Sequence, residues 1–185
     1  MPLEVPLPVQ PAVPFGPSIA RIPPRTIWLA VAAGSAMLTL TSLGLTAWLN
    51  LQPCHLCIFQ RLLFMLIAVL ALAAALRPPA LVKWLAAGSL IGLAGLGLGV
   101  AIYQSWLQVQ PPDAVSCVGG QPGLIERLVE WLGQQSPALF LATGFCEEEA
   151  LVILGLSLAN WAALSFAAVL LAAVLALLHG RAAPR

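Results

Sequence analysis

A chain of 185 residues that is 61% hydrophobic and 8% charged cannot build a water-soluble surface, since soluble domains carry about 25% charged residues. Its mean hydropathy of +0.96 and net charge of +1, with no basic stripe, exclude a nucleic-acid-binding module. One compact integral membrane domain is expected.

Residues 1–25 contain eight prolines and no apolar run, which predicts a disordered tail. No charge lies between Arg25 and Arg61, and a first membrane helix is expected over 27–49. It is too long for a signal peptide and lacks a small-residue cleavage pattern, so it reads as an uncleaved anchor. A second apolar run over 58–76 is interrupted only by Gln60 and Arg61, and a third covers 84–107. Within the third, Gly88, Gly92, Gly95 and Gly99 fall on two rows of four-residue spacing, which predicts close-packing surfaces between helices.

The segment from Gln108 to Glu149 sets Leu124, Ile125, Leu128, Val129 and Leu132 opposite Glu126, Arg127 and Glu130. That spacing predicts a short amphipathic helix lying on the outer membrane surface. The last apolar run, Ala150 to Leu178, exceeds the roughly 20 residues a bilayer core requires. Its first part, to about Leu158, is expected at the surface, and a fourth helix over 158–178. The expected fold is an all-α integral membrane protein without strands. A four-helix transmembrane bundle occupies 26–179, with an amphipathic surface helix in its second outward loop and a stub at 180–185. Trp28 and Trp84 are expected at the inner interface, and Trp48, Trp106 and Trp161 at the outer one.

Lys and Arg decide orientation. Arg21, Arg25, Arg77, Lys83, Arg181 and Arg185 share one side if there are four spans, so both termini are expected in the cytoplasm. The loops carrying Cys54, Cys57, Cys117 and Cys146 then face an oxidising compartment. Four cysteines allow three connectivities. The two-residue gap favours Cys54–Cys57, which leaves Cys117–Cys146.

Pro53-Cys54-His55-Leu56-Cys57 can switch between dithiol and disulfide with little backbone movement. At the lip of a bilayer it would join thiol chemistry in water to an oxidant dissolved in lipid. A zinc site, a thioredoxin-like fold or two purely structural disulfides are the alternatives. Thiolate zinc ligands suit an oxidising space poorly, a thioredoxin-like fold needs βαβ units, and closing so short a ring gains little entropy. Redox use is favoured, with no metal. Arg61 follows Cys57 by four residues, on the same helical face. It either snorkels to the headgroups or stabilises a Cys57 thiolate and hydrogen-bonds a ring carbonyl of the oxidant. Gln104 and Gln108, near the outer end of the third helix, are candidates to face the same oxidant. His55 either tunes Cys54 or is a spacer, and Glu147 to Glu149 read as a solvated flank.

Pro53-Cys54-x-Leu56-Cys57-Ile58-Phe59-x-Arg61 resembles the first-loop signature of the disulfide bond formation protein B (DsbB) family. Gln104-Ser105-Trp106-Leu107-Gln108 resembles the family's third-helix exit. Ala142-Thr143-Gly144-Phe145-Cys146-Glu147, with Leu154-Gly155-Leu156-Ser157 and Trp161, resembles its second-loop end and fourth helix. Gln60 stands where some members carry an acidic residue, and no histidine stands near the end of the third helix. The resemblance implies an inner-membrane enzyme that reoxidises a periplasmic DsbA-type thiol oxidase and passes electrons to ubiquinone or menaquinone. It further implies that Cys117 forms the mixed disulfide with that partner, that Cys146 exchanges with Cys54, and that Cys57 faces the quinone with Arg61 beside it. A vitamin K epoxide reductase-type quinone reductase and a non-enzymatic membrane scaffold are the other readings.

Overall fold

The computed structural model describes residues 23–76, 79–110, 123–148 and 151–182. Helices α1 (Pro24–Leu49), α2 (His55–Ala75), α3 (Ala80–Gln108) and α6 (Leu158–Ala182) form the bundle, and α4 (Leu124–Gln135) and α5 (Pro137–Phe140) lie in the connection after α3. All four bundle helices are long and apolar enough to cross a membrane. In α1 and α3 the helix starts three or four residues before the expected apolar run, because Pro24 and Pro79 set up the first turn. Proline there lacks only an N–H that a helix start leaves unpaired anyway. Consequently Pro24 and Arg25, assigned from sequence to the tail, are helical, and α6 runs past 178 to Ala182. The rest of the expected tail, residues 1–22, and positions 183–185 of the stub lie outside the described residues.

The helices pack in the cyclic order α1–α2–α3–α6, and α6 returns against α1. At mid-height Phe64 of α2 stacks on Phe166 of α6, with ring centroids 4.1 Å apart. Gly97 of α3 makes room for this pair, since a Cβ there would overlap the Phe166 ring. Gly88, Gly92, Gly95 and Gly99 have no neighbour within 4 Å of a built Cβ. They face outward, contrary to the sequence expectation. The packed face of α3 is Ala87, Leu90, Ala94, Gly97, Ala101 and Gln104, and spacing among glycines alone does not say which face a helix turns inward. Trp28, expected at the lipid interface, is buried in the bundle core.

The surface segment before α6 also differs from expectation. It is a two-stranded antiparallel hairpin, β1 (Val152–Ile153) with β2 (Leu156–Ser157). Leu154 and Gly155 both take positive φ, 54° and 79°, as a two-residue type I′ turn demands. Trp161 Nε1 donates to the Ile153 carbonyl at 3.1 Å, and the Asn160 N–H donates to Ser157 Oγ at 3.4 Å. The hairpin is thereby fastened to the first turn of α6.

Gly97→Val should force the Phe166 ring aside and destabilise the fold by about 1–3 kcal/mol, whereas Gly92→Val should leave thermal unfolding in detergent unchanged.

Candidate functional site

The chain leaves α1 through Asn50 in the left-handed region, φ 48°, and re-enters helix at His55 with Cys54 as N-cap. The first turn of a helix has N–H groups with no helical partner, and here sulfur accepts from them. The Cys57 N–H donates to Cys54 Sγ at 3.4 Å, and the Leu56 N–H donates to Cys146.

Cys146 arrives from a distant part of the chain. The N–H groups of Thr143 and Gly144 both donate to the Pro53 carbonyl, at 2.9 and 3.2 Å. At Gly144 a Cβ would collide with the Gln52 carbonyl, so only glycine allows this approach. The same connection is held by α4, whose Val129 is fully buried. His55 Nε2 lies 4.0 Å from Glu130 Oε1. The apolar Leu124, Leu128 and Trp131 of α4 remain exposed.

Three free thiols therefore meet at one end of the bundle. Cys54 Sγ donates to Cys57 Sγ at 3.2 Å and also hydrogen-bonds Cys146. Cys54 holds its proton far above the ordinary thiol range, through its bonds to Cys146 and Cys57 and through burial. Cys146 sits below that range, because the bond from Cys54 outweighs burial and the Leu56 N–H adds to it; Glu147 opposes. Cys117, the fourth cysteine, lies outside the described residues, as does Glu149.

Arg61 is buried one turn below Cys57. Its Nε and Nη2 donate to Ser42 Oγ at 3.2 and 3.0 Å, Nη2 also to Thr46 Oγ1 at 2.9 Å, and Nη1 to the Leu139 carbonyl at 3.0 Å. Among the described residues no carboxylate pairs with it. Ser42 and Thr46 were not singled out from sequence, although two hydroxyls four apart near the end of an apolar helix were the available signal. Cys57, Gln60 and Arg61 line a cavity of about 340 Å³ between α1, α2 and α6, whose remaining wall is largely Leu38, Leu45, Phe64, Ile153, Leu158 and Ala162. Gln104 is not in that wall. It stands on α3 with its Nε2 3.1 Å from Cys57 Sγ.

Four membrane-crossing helices, with Cys54 hydrogen-bonded to both Cys57 and Cys146 at one end, define a multi-pass membrane protein built around thiol chemistry. The family model described as "Disulfide bond formation protein DsbB" matches residues 24–176. The chain is 42% identical over 156 residues to disulfide bond formation protein B of Dechloromonas aromatica (strain RCB), covering 84% of this chain and 93% of the relative. It is 39% identical over 158 residues to the protein of the same name from Azoarcus sp. (strain BH72), covering 85% and 93%. The chain belongs to the disulfide bond formation protein B family.

Two outcomes are expected of this geometry. Gly144→Ala should slow disulfide formation between Cys146 and Cys54, followed in a Cys57→Ser background, by roughly 10- to 100-fold, the usual cost of an ångström's misplacement. Cys54→Ala removes the donor to Cys146, so alkylation of Cys146 in the reduced protein should require a higher pH, as a rate–pH profile with iodoacetamide would record.

Proposed function

We propose that this protein is an inner-membrane thiol:quinone oxidoreductase that reoxidises a periplasmic DsbA-type thiol oxidase and so supports disulfide bond formation. Both termini are cytoplasmic and the cysteine loops periplasmic in this reading, following the Lys and Arg asymmetry of the flanks. The observation that carries it is the position of the Cys54–Cys57 pair. Cys54 touches Cys146 on one side, while Cys57 stands in the wall of an apolar cavity beside Arg61.

The exchange runs through two cysteine pairs. A thiolate of the partner attacks Cys117 in a Cys117–Cys146 disulfide, forming a mixed disulfide and releasing Cys146. The Cys146 thiolate attacks Cys54 in a Cys54–Cys57 disulfide, so the Cys54–Cys146 bond forms as the Cys54–Cys57 bond breaks. Cys57 leaves as a thiolate, carrying the electron pair to the cavity. Such exchange is fast when the attacking sulfur is ionised and the leaving thiol is acidic. The Leu56 N–H bond to Cys146 supports the first condition. The Arg61 charge, fixed by α1 hydroxyls and without a carboxylate partner among the described residues, supports the second.

The cavity fits a quinone headgroup. Its volume, about 340 Å³, falls in the range of roughly 300–1,000 Å³ usual for small-molecule sites, and its walls are largely apolar, with Cys57, Gln60, Arg61, the α1 hydroxyls and Ser165 of α6 as polar points. Cys57, Gln60 and Arg61 would hold ubiquinone or menaquinone there, and the bound quinone supplies a two-electron, two-proton acceptor. A strong acceptor is needed, because DsbA-type partners are themselves oxidising, near about −120 mV. Arg61 orients the ring through hydrogen bonds to a carbonyl oxygen, and the leucine and phenylalanine walls exclude water.

The decisive assay supplies the purified protein anaerobically with a reduced DsbA-type partner and either quinone. Quinone reduction should occur with the parent and vanish in each of Cys54→Ser, Cys57→Ser, Cys117→Ser and Cys146→Ser. Arg61→Met should raise KM for quinone by about tenfold or more, the loss of a charged hydrogen bond. Folded protein that reduces neither quinone would sink the enzyme and leave a membrane scaffold.

A further inference from the structure

Two carboxamides are buried at the cysteine end of the bundle, Gln60 on α2 and Gln104 on α3, at 5% and 2% exposure. Burial of this kind is costly unless each polar atom finds a partner. Gln60 Nε2 donates to Gln104 Oε1 at 2.9 Å, and that bond commits the other end of Gln104. With its oxygen engaged, the amide turns its nitrogen, a donor with no acceptor capacity, toward the sulfurs. Nε2 reaches Cys57 Sγ at 3.1 Å and Cys54 Sγ at 3.5 Å. The bonds link α2 to α3 through the two reacting atoms themselves.

We propose that Gln104, oriented by Gln60, sets the oxidising strength of the Cys54–Cys57 pair by hydrogen-bonding its reduced form more strongly than its disulfide. Reduction breaks one S–S bond, takes two electrons from a thiol donor and leaves two sulfurs that carry a proton or a negative charge. A charged sulfur accepts a hydrogen bond far more strongly than a neutral one, so a fixed N–H beside both sulfurs favours the reduced side of the couple. A pair whose reduced form is stabilised is the stronger oxidant. Gln104 thus touches the reacting atoms, and Gln60 is a positioning residue that acts through it. The inference rests on the redox reading of this pair given above.

The test needs neither partner nor quinone. Full-length protein in detergent, with Cys117→Ser and Cys146→Ser isolating the pair, is equilibrated anaerobically in glutathione buffers. The reduced fraction of Cys54–Cys57 is then read by alkylation and mass shift. Gln104→Met and Gln60→Met keep side-chain volume and remove the amides. Each should shift the equilibrium about tenfold toward the disulfide, which is about 30 mV for two electrons. A purely packing role would lower thermal stability without moving this potential. Equilibrium constants within twofold of the parent in both variants would overturn the proposal, and a shift in Gln104→Met alone would overturn the role given to Gln60. Should Gln104→Met fail to fold, Gln60→Met decides by itself. Loss of quinone reduction by the parent alongside intact shifts would count against the enzyme reading only.

Discussion

Every helix that begins in a place short of water must find acceptors for its first N–H groups. At the start of α2 those acceptors are sulfur atoms: Cys54 for the Cys57 N–H and Cys146 for the Leu56 N–H. The rest of the site depends on this arrangement. The positive end of the helix dipole favours negative charge near its first turn, so the Cys146 sulfur held there is biased toward the ionised state that exchange requires, while Cys54 keeps the proton it donates. The same N-cap position fixes where Cys57 falls on the helix, and hence which cavity it enters.

Around that turn, three separate elements hold charge and geometry. The α1 hydroxyls and the Leu139 carbonyl immobilise the Arg61 guanidinium. The amide pair from α2 and α3 holds the sulfurs from the other side. The Pro53 carbonyl receives the second loop. These are interactions of different kinds, and each is satisfied by neutral dipoles. Among the described residues the buried Arg61 cation is held by neutral dipoles. A cation held in this way retains most of its field, which leaves it free to act on charge that arises beside it.

Much of this was legible in the sequence. Four long apolar runs yielded four helices, and the alternation of Leu124 to Leu132 with charges yielded α4, because burial periodicity is written directly into composition. The starts of α1, α2 and α3 were displaced inward, since apolar windows detect the part in lipid and pass over prolines and a capping cysteine, whereas α6 begins at Leu158 as expected. The segment up to Leu158 reads as lying at the surface, but its unbroken apolar run around Leu154-Gly155-Leu156 hides the β1–β2 hairpin, of which Gly155 is the turn signal. Cys54, Cys57 and Arg61 could be chosen from local spacing. The meeting of Cys146 with Cys54 joins residues 92 positions apart, and that of Gln104 with Cys54 and Cys57 joins residues 50 and 47 apart. No local pattern encodes such a contact; the nearest clue to it was Gly144, whose missing side chain admits the Gln52 carbonyl.

The anchoring of the second loop has one more consequence, for how the chain tolerates change. Cys146 is located by Thr143 and Gly144 on Pro53 and by Val129 of α4 against α2, all downstream of residues 111–122. The closure entropy of a loop grows only with the logarithm of its length, about 0.6 kcal/mol per doubling. The stretch around Cys117 can therefore lengthen, shorten or change composition while the inner cluster keeps its geometry. The connection ahead of the inner cluster is free to diversify, whereas the residues that seat Cys146 on Pro53 are not.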